Sequence, residues 1–192
     1  MKSPFAALFL LMTLSSTFAQ DHYQSIPDYS NTAYSNENIL ARMLDGLGFR
    51  YYWGTYELRA EDLAFKPSDE ARTSYETLQH IDGLTFVILK TIKGEPIKPG
   101  QNNSELEYTA LRQKTLQQIE DAAEYLKNNT LDPGKHKIRF QNGESEYSLP
   151  LWNLINGPIE DATWHVGQIV SFRRSSENPL PKGVDVLEGV KK

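Results

Sequence analysis

Asp161 and His165 stand four residues apart in the run Asp161-Ala162-Thr163-Trp164-His165. On a helix that spacing puts both side chains on one face, with Cβ atoms about 6 Å apart. Gln168 and Phe172 continue the same face. An imidazole and a carboxylate placed in this way can hold one divalent ion. His80 lies on an earlier segment, one step round from the apolar position Ile81, and shares a face with Thr77, Leu84 and Val87. If the two segments are neighbours, His80 reaches the same point. Two or three protein ligands with positions left for water is what a catalytic metal needs, because bound water then turns acidic near neutral pH. By spacing alone, a hydrogen-bonded histidine at a core or groove edge is the commoner outcome for such residues. His22 and His136 lie in polar, turn-rich stretches and read as surface residues.

The elements that must position these groups read as helices. Segment one runs from about 36 to 65, with Asn36 as its cap and Leu40, Met43, Leu47, Tyr51 and Leu58 at near-helical spacing. Its glycines, Gly46, Gly48 and Gly54, weaken a helix but admit a close neighbour. Its aromatics, with Glu57 and Arg59, read as core residues before they read as a pocket lining. Segment two opens on Thr73-Ser74-Tyr75-Glu76, a capping box, and continues through Leu78, Ile81, Leu84, Ile88 and Ile92. A polar loop with Gly94, Pro96, Pro99 and Gly100 follows. Segment three, about 104 to 128, carries one apolar stripe of Leu116, Ile119, Ala123 and Leu126. A hairpin is expected next: Ile138 and Phe140 alternate before Asn142-Gly143, Tyr147 and Leu149 after it, and Asn-Gly favours a type I′ turn. Segment four runs from about 150 to 174. Pro158 lacks an amide and would meet the carbonyl of Leu154, so a kink or a fresh start capped by Asn156 is expected. Arg173 and Arg174 fall where cations complement a helix C-terminus. The tail from Ser175 reads as irregular.

The N-terminus bears on compartment. Lys2 precedes an uncharged apolar run from Phe5 to Met12, and Thr17 and Ala19 fit the −3 and −1 positions of a signal-peptidase site. The reading is a signal peptide over 1–19, cleaved after Ala19, a flexible segment over 20–35, and one domain over 36–192, in a periplasmic or secreted protein. The run is shorter than the ~20 residues that span a bilayer, and no other segment is apolar enough to do so. The chain holds no cysteine, so any metal ligands are His, Asp, Glu or water. A net charge of −5 argues against a nucleic-acid partner. Asn102-Asn103-Ser104 and Asn128-Asn129-Thr130 match the glycosylation sequon, but read as loop polarity. No phosphate-binding glycine loop and no Gly-x-Ser-x-Gly elbow is present.

The run Ser74-Tyr75-Glu76-Thr77-Leu78-Gln79-His80-Ile81 resembles the opening of the second helix of the DinB-like superfamily. Asp161-Ala162-Thr163-Trp164-His165-Val166-Gly167-Gln168-Ile169 resembles that family's H-x-x-x-H-x-G-Q-I motif in the last helix. The order of elements is similar over most of the chain. The resemblance implies an all-α fold: a four-helix bundle with a small β-hairpin before the last helix. It implies a divalent metal held by three side chains, which by position are His80, Asp161 and His165. Asp161 departs from the pattern, which has histidine there. A carboxylate is an acceptable ligand for zinc, nickel, manganese or iron, but it adds negative charge and hardens the site. The implied activity is that of a metal-activated transferase on a small-molecule substrate, metal-bound water makes a hydrolase chemically possible, and the resemblance admits a homodimer. The alternative is a non-catalytic bundle with a degenerate metal site.

Overall fold

A computed structural model describes residues 22–192. The expected leader over 1–19 lies outside the described residues. Ser35, not Asn36, caps the first helix by accepting the amide of Asn38, and α1 runs Asn36–Gly54. The chain then turns through a short α2, Ala60–Ala64, so the long first segment is broken at Thr55. The Thr73 capping box forms as expected: the Thr73 hydroxyl accepts the Glu76 amide at 3.1 Å, and the Glu76 carboxylate accepts the Thr73 amide at 2.8 Å. It opens α3, Ser74–Ile92. Helix α4, Tyr108–Asn128, buries Leu111, Leu116, Ile119, Ala123 and Leu126. Strands β1, Lys137–Asn142, and β2, Ser145–Pro150, pair antiparallel. The last helical stretch has three joined pieces: α5 (Trp152–Leu154), a π-turn (Ile155–Ile159) and α6 (Glu160–Ser175). A two-residue pair, β3 (Val184–Asp185) with β4 (Val190–Lys191), gives order to a tail expected to be irregular.

The architecture is an all-α bundle with small β-hairpins, one of them just before the last helical stretch. Helix α1 packs on α4 and α6, and α3 packs on the same two, so the long helices close a ring around one core. The start of α3 lies by the end of α6: the Ser74 amide donates to the Phe65 carbonyl, and the Phe65 ring packs on Phe172 at 5.7 Å. The π-turn at the other end of α6 also packs on α3. The two helices are therefore antiparallel. No helix among the described residues is long and apolar enough to cross a membrane.

Pro158 produces the expected kink. At Gly157 the backbone leaves helical values (φ −92°, ψ −105°), and two helical pieces meet across that kink. The hairpin differs from expectation by one residue. Phe140 pairs with Tyr147 and Asn142 with Ser145, so the loop is Gly143-Glu144, and only Gly143 has positive φ (58°). The Asn-Gly type I′ turn is not formed, because the register set by Ile138–Leu149 and Phe140–Tyr147 fixes where the chain reverses.

Three fastenings were not expected. The segment before α1, expected to be flexible, is fastened to the bundle. Tyr23 is fully buried beside Gly48 and donates to Asp45, Trp53 donates to the Gln24 carbonyl, and the Ile26 amide donates to the Gly189 carbonyl. His22, expected on the surface, is half-buried, with Nδ1 3.4 Å from Glu120. Arg173 does more than complement a helix dipole: it is 2% exposed and donates to the carbonyls of Trp53, Gly54 and Asn178. It thereby closes the C-terminus of α1, whose last carbonyls have no partner within the helix. The first sequon is also structural. Asn102 and Ser104 both donate to the buried Asp82 carboxylate, which Lys114 neutralises at 2.8 Å. The loop between α3 and α4 is held by that acid.

Candidate metal centre

Helix α3 carries His80 on the edge of its stripe that faces α6, where Ile81 and Leu78 turn into the core. Helix α6 presents Asp161 and His165 one turn apart, with Ala162, Val166 and Ile169 buried behind them. The antiparallel pairing brings the three side chains together. His80 Nε2 lies 3.3 Å from Asp161 Oδ2, and His165 Nε2 lies 3.3 Å from Asp161 Oδ1. The two imidazoles meet edge to face, with centroids 4.6 Å apart and planes at 89°. One ligand atom from each residue falls within 4.8 Å of the other two. All three side chains are partly exposed.

The arrangement fits a small divalent cation. Ligand atoms around 2.0–2.1 Å from a tetrahedral ion sit about 3.4 Å from each other. The two imidazole–carboxylate separations of 3.3 Å are close to that edge, each to a different Asp161 oxygen, and with one oxygen taken the three ligand atoms lie within 4.8 Å of one another. Among the described residues no lysine or arginine pairs with Asp161; its partners are the two imidazoles. His165 is also oriented: its Nδ1 is 2.8 Å from Gln168 Oε1. With Nδ1–H donated to that oxygen, the lone pair is left on Nε2, which faces Asp161. Gln168 was legible from the sequence only as a residue on the same face. Its role needed the rotamer, although the i, i+3 spacing from His165 is a usable signal.

Burial removes water from the His80 ring and holds its pKa below the ordinary imidazole value. The charges of His165 and Arg72 act in the same direction, while hydrogen bonding to Asp161 and its charge oppose them. His80 is thereby kept neutral, the form that can bind a metal. With a folded pKa below the unfolded one, the unfolded state takes up its proton first as pH falls. This part of the stability is present above about pH 6.5 and is lost on descending towards the folded value. Melting temperatures of the metal-free protein should therefore drop faster between about pH 7 and 5 in the wild type than in His80→Gln. Equal slopes would contradict the assignment.

His136 lies away from the centre and is close to the Asp132 carbonyl, at 3.1 Å. The aromatics of segment one are core residues: Tyr51, Tyr52 and Trp53 are buried, and Arg59 and Asp62 form a local ion pair at 3.0 Å. A concavity of about 890 Å³ lies between the N-terminal segment and α1, lined in part by Ile26, Tyr29, Ile39 and Arg42. None of the three candidate ligands lines it, so this concavity and the chemistry are in different places. Comparison of the chain with protein-family models, with curated proteins and with solved structures gives no match.

Proposed function

We propose that this is an exported, DinB-like metal-dependent protein that binds one divalent ion at His80, Asp161 and His165 and acts on a small-molecule substrate. The observation that carries the reading is the convergence of two imidazoles on one carboxylate that pairs with no lysine or arginine among the described residues, with one ligand atom from each of the three within 4.8 Å of the others. Export is supported by the charged start, the apolar run and the small residues at Thr17 and Ala19. The family reading is supported by the two sequence motifs and by an all-α bundle with a hairpin before its last helical stretch.

An ion held there would supply a Lewis acid and a source of hydroxide for hydrolysis, or activation of a bound nucleophile for group transfer. The chain's own residues would do the rest. Gln168 holds the His165 tautomer. Asp161 contributes the negative charge that makes a divalent ion preferable to a proton. The partial exposure of all three side chains leaves room for water and substrate on the solvent side. With two nitrogens and one oxygen, the donor set suits zinc, nickel, manganese or iron.

The test is metal analysis of protein purified without a histidine tag. The reading expects roughly one equivalent of transition metal per chain, removed by a chelator and restored on reloading. Protein that arrives metal-free and takes up no ion on reloading would leave a non-catalytic bundle with a vestigial centre.

A further inference from the structure

Along one stripe of α1 the surface passes from apolar to cationic. Ile39, Met43, Gly46 and Arg50 recur at helical spacing over about 16 Å of the axis. At the start, Ile39 (52% exposed) and Met43 border a recess of about 210 Å³, walled by Leu131, Leu151, Leu154 and a Trp152 that is 74% exposed. Asn36 is the sole polar residue among the described ones that line it. At the end, Met43, Gly46 and Arg50 line a second concavity of about 440 Å³, together with Arg42, the start of α6 and the edge of the tail at Val186 and Leu187. Met43 lines both, so the two adjoin there.

Neither guanidinium pairs with a carboxylate among the described residues. Arg42 donates to the Pro27 carbonyl at 3.2 Å and lies 5.3 Å from the centre of the Tyr29 ring. Arg50 donates to the Gly46 carbonyl at 2.9 Å, which lays it back along the helix towards Met43. Gly46 permits this, because a Cβ there would crowd Arg50 Nη1 at 3.3 Å. Glu160 lines the same concavity without pairing with either arginine. Each guanidinium has five N–H donors, and these bonds leave most of them unused.

We propose that this stripe binds a small amphipathic anion, with its carboxylate in the concavity lined by Arg42 and Arg50 and its alkyl chain laid over Met43 and Ile39 into the apolar recess. Guanidiniums without an acid partner recognise a carboxylate through charge-assisted hydrogen bonds, and the chain removes exposed apolar surface from water. The flexible thioether of Met43 lets the chain pass between the two spaces. The site shares no residue with His80, Asp161 and His165 and stands independently of the metal centre.

The experiment is calorimetric titration of the full chain with octanoate, hexanoate and octanol, in chelator so that no ion takes the carboxylate. Octanoate should bind about tenfold tighter than octanol, the low end for a hydrogen bond to a charged group because both arginines are partly exposed. It should also bind about tenfold tighter than hexanoate, since each buried methylene contributes up to about fourfold. Arg50→Gln should remove most of the preference over octanol and leave octanol binding unchanged, and adding Arg42→Gln should remove the rest. Ile39→Asp, at an exposed position, should weaken octanoate and octanol together without lowering the melting temperature. His165→Ala should bind octanoate like wild type. A wild type that binds no octanoate, or binds octanol as tightly, would overturn the proposal, as would a preference that survives in the double arginine variant. A dimer in sedimentation that Ile39→Asp dissociates, with no uptake of octanoate, would overturn it as well and give this face to a second copy of the chain.

Discussion

Protein carrying His165→Ala should retain no divalent ion after gel filtration, and zinc should no longer raise its melting temperature. Removing groups that only orient a ligand typically costs 10–100-fold in metal affinity. Removal of one of three ligands should therefore cost more than about 100-fold. In the wild type, free zinc at about 100 times its dissociation constant would stabilise the fold by roughly 2.7 kcal/mol. In the variant most of that disappears. Gln168→Ala, which leaves the ligands intact but frees the His165 ring, should fall between the two. His136→Ala should behave as wild type, because that ring sits against the Asp132 carbonyl away from the centre. Calorimetric titration and thermal melts with and without zinc check each variant. Unchanged zinc binding by His165→Ala would remove that imidazole from the site.

The second large effect concerns the fold that holds the centre. Gly48→Ala should destabilise the protein by roughly 3 kcal/mol, within the range for emptying an aromatic site. The added methyl would sit 2.5 Å from the Tyr23 ring, closer than atoms can approach, so the ring must leave its fully buried place. Its hydrogen bond to the buried Asp45 goes with it, leaving that acid to Tyr29 at 2.7 Å and Lys127 at 3.0 Å. For a chain of this size the loss corresponds to a drop of about 6–12 °C in melting temperature. Tyr23→Phe keeps the ring and loses the hydroxyl, so it should cost only about 1–2 kcal/mol. Combining Gly48→Ala with Tyr23→Ala should cost less than the sum, because the clash and the lost contact are one event. A Gly48→Ala protein within about 0.5 kcal/mol of wild type would contradict the packing.

The cluster of His80, Asp161 and His165 was legible in the sequence because its members follow helical periodicity, and a helix is the element whose side-chain directions spacing determines best. Asp161 and His165 fall on one face wherever the helix ends. His80 needed only the further condition that α3 and α6 be neighbours, which the bundle satisfies. The four long helices were legible for the same reason, together with the Thr73–Glu76 box that starts α3.

What escaped the sequence is long-range or depends on competition between elements. Arg173 looks like a surface cation at a helix end, but it serves carbonyls some 120 positions earlier, at Trp53 and Gly54. Nothing local marks that contact. Tyr23 sits in a polar stretch with no periodicity, so its burial beside Gly48 is visible only from the partner's side, as a glycine in the middle of a helix. Asn102 and Ser104 look like loop polarity until Asp82, an acid on the buried face of α3, is seen to need donors. At the hairpin, turn propensity favoured Asn142-Gly143, but pairing of the flanking apolar residues moved the reversal by one residue.

The central claim is that His80, Asp161 and His165 share one ion. Anomalous diffraction from a zinc-soaked crystal tests it most directly. A single strong peak between α3 and α6, within about 2.0–2.2 Å of both imidazole nitrogens and an Asp161 oxygen, is the expected result. A peak bound elsewhere, or three side chains that keep their hydrogen-bonded positions with no ion among them at saturating zinc, would contradict it.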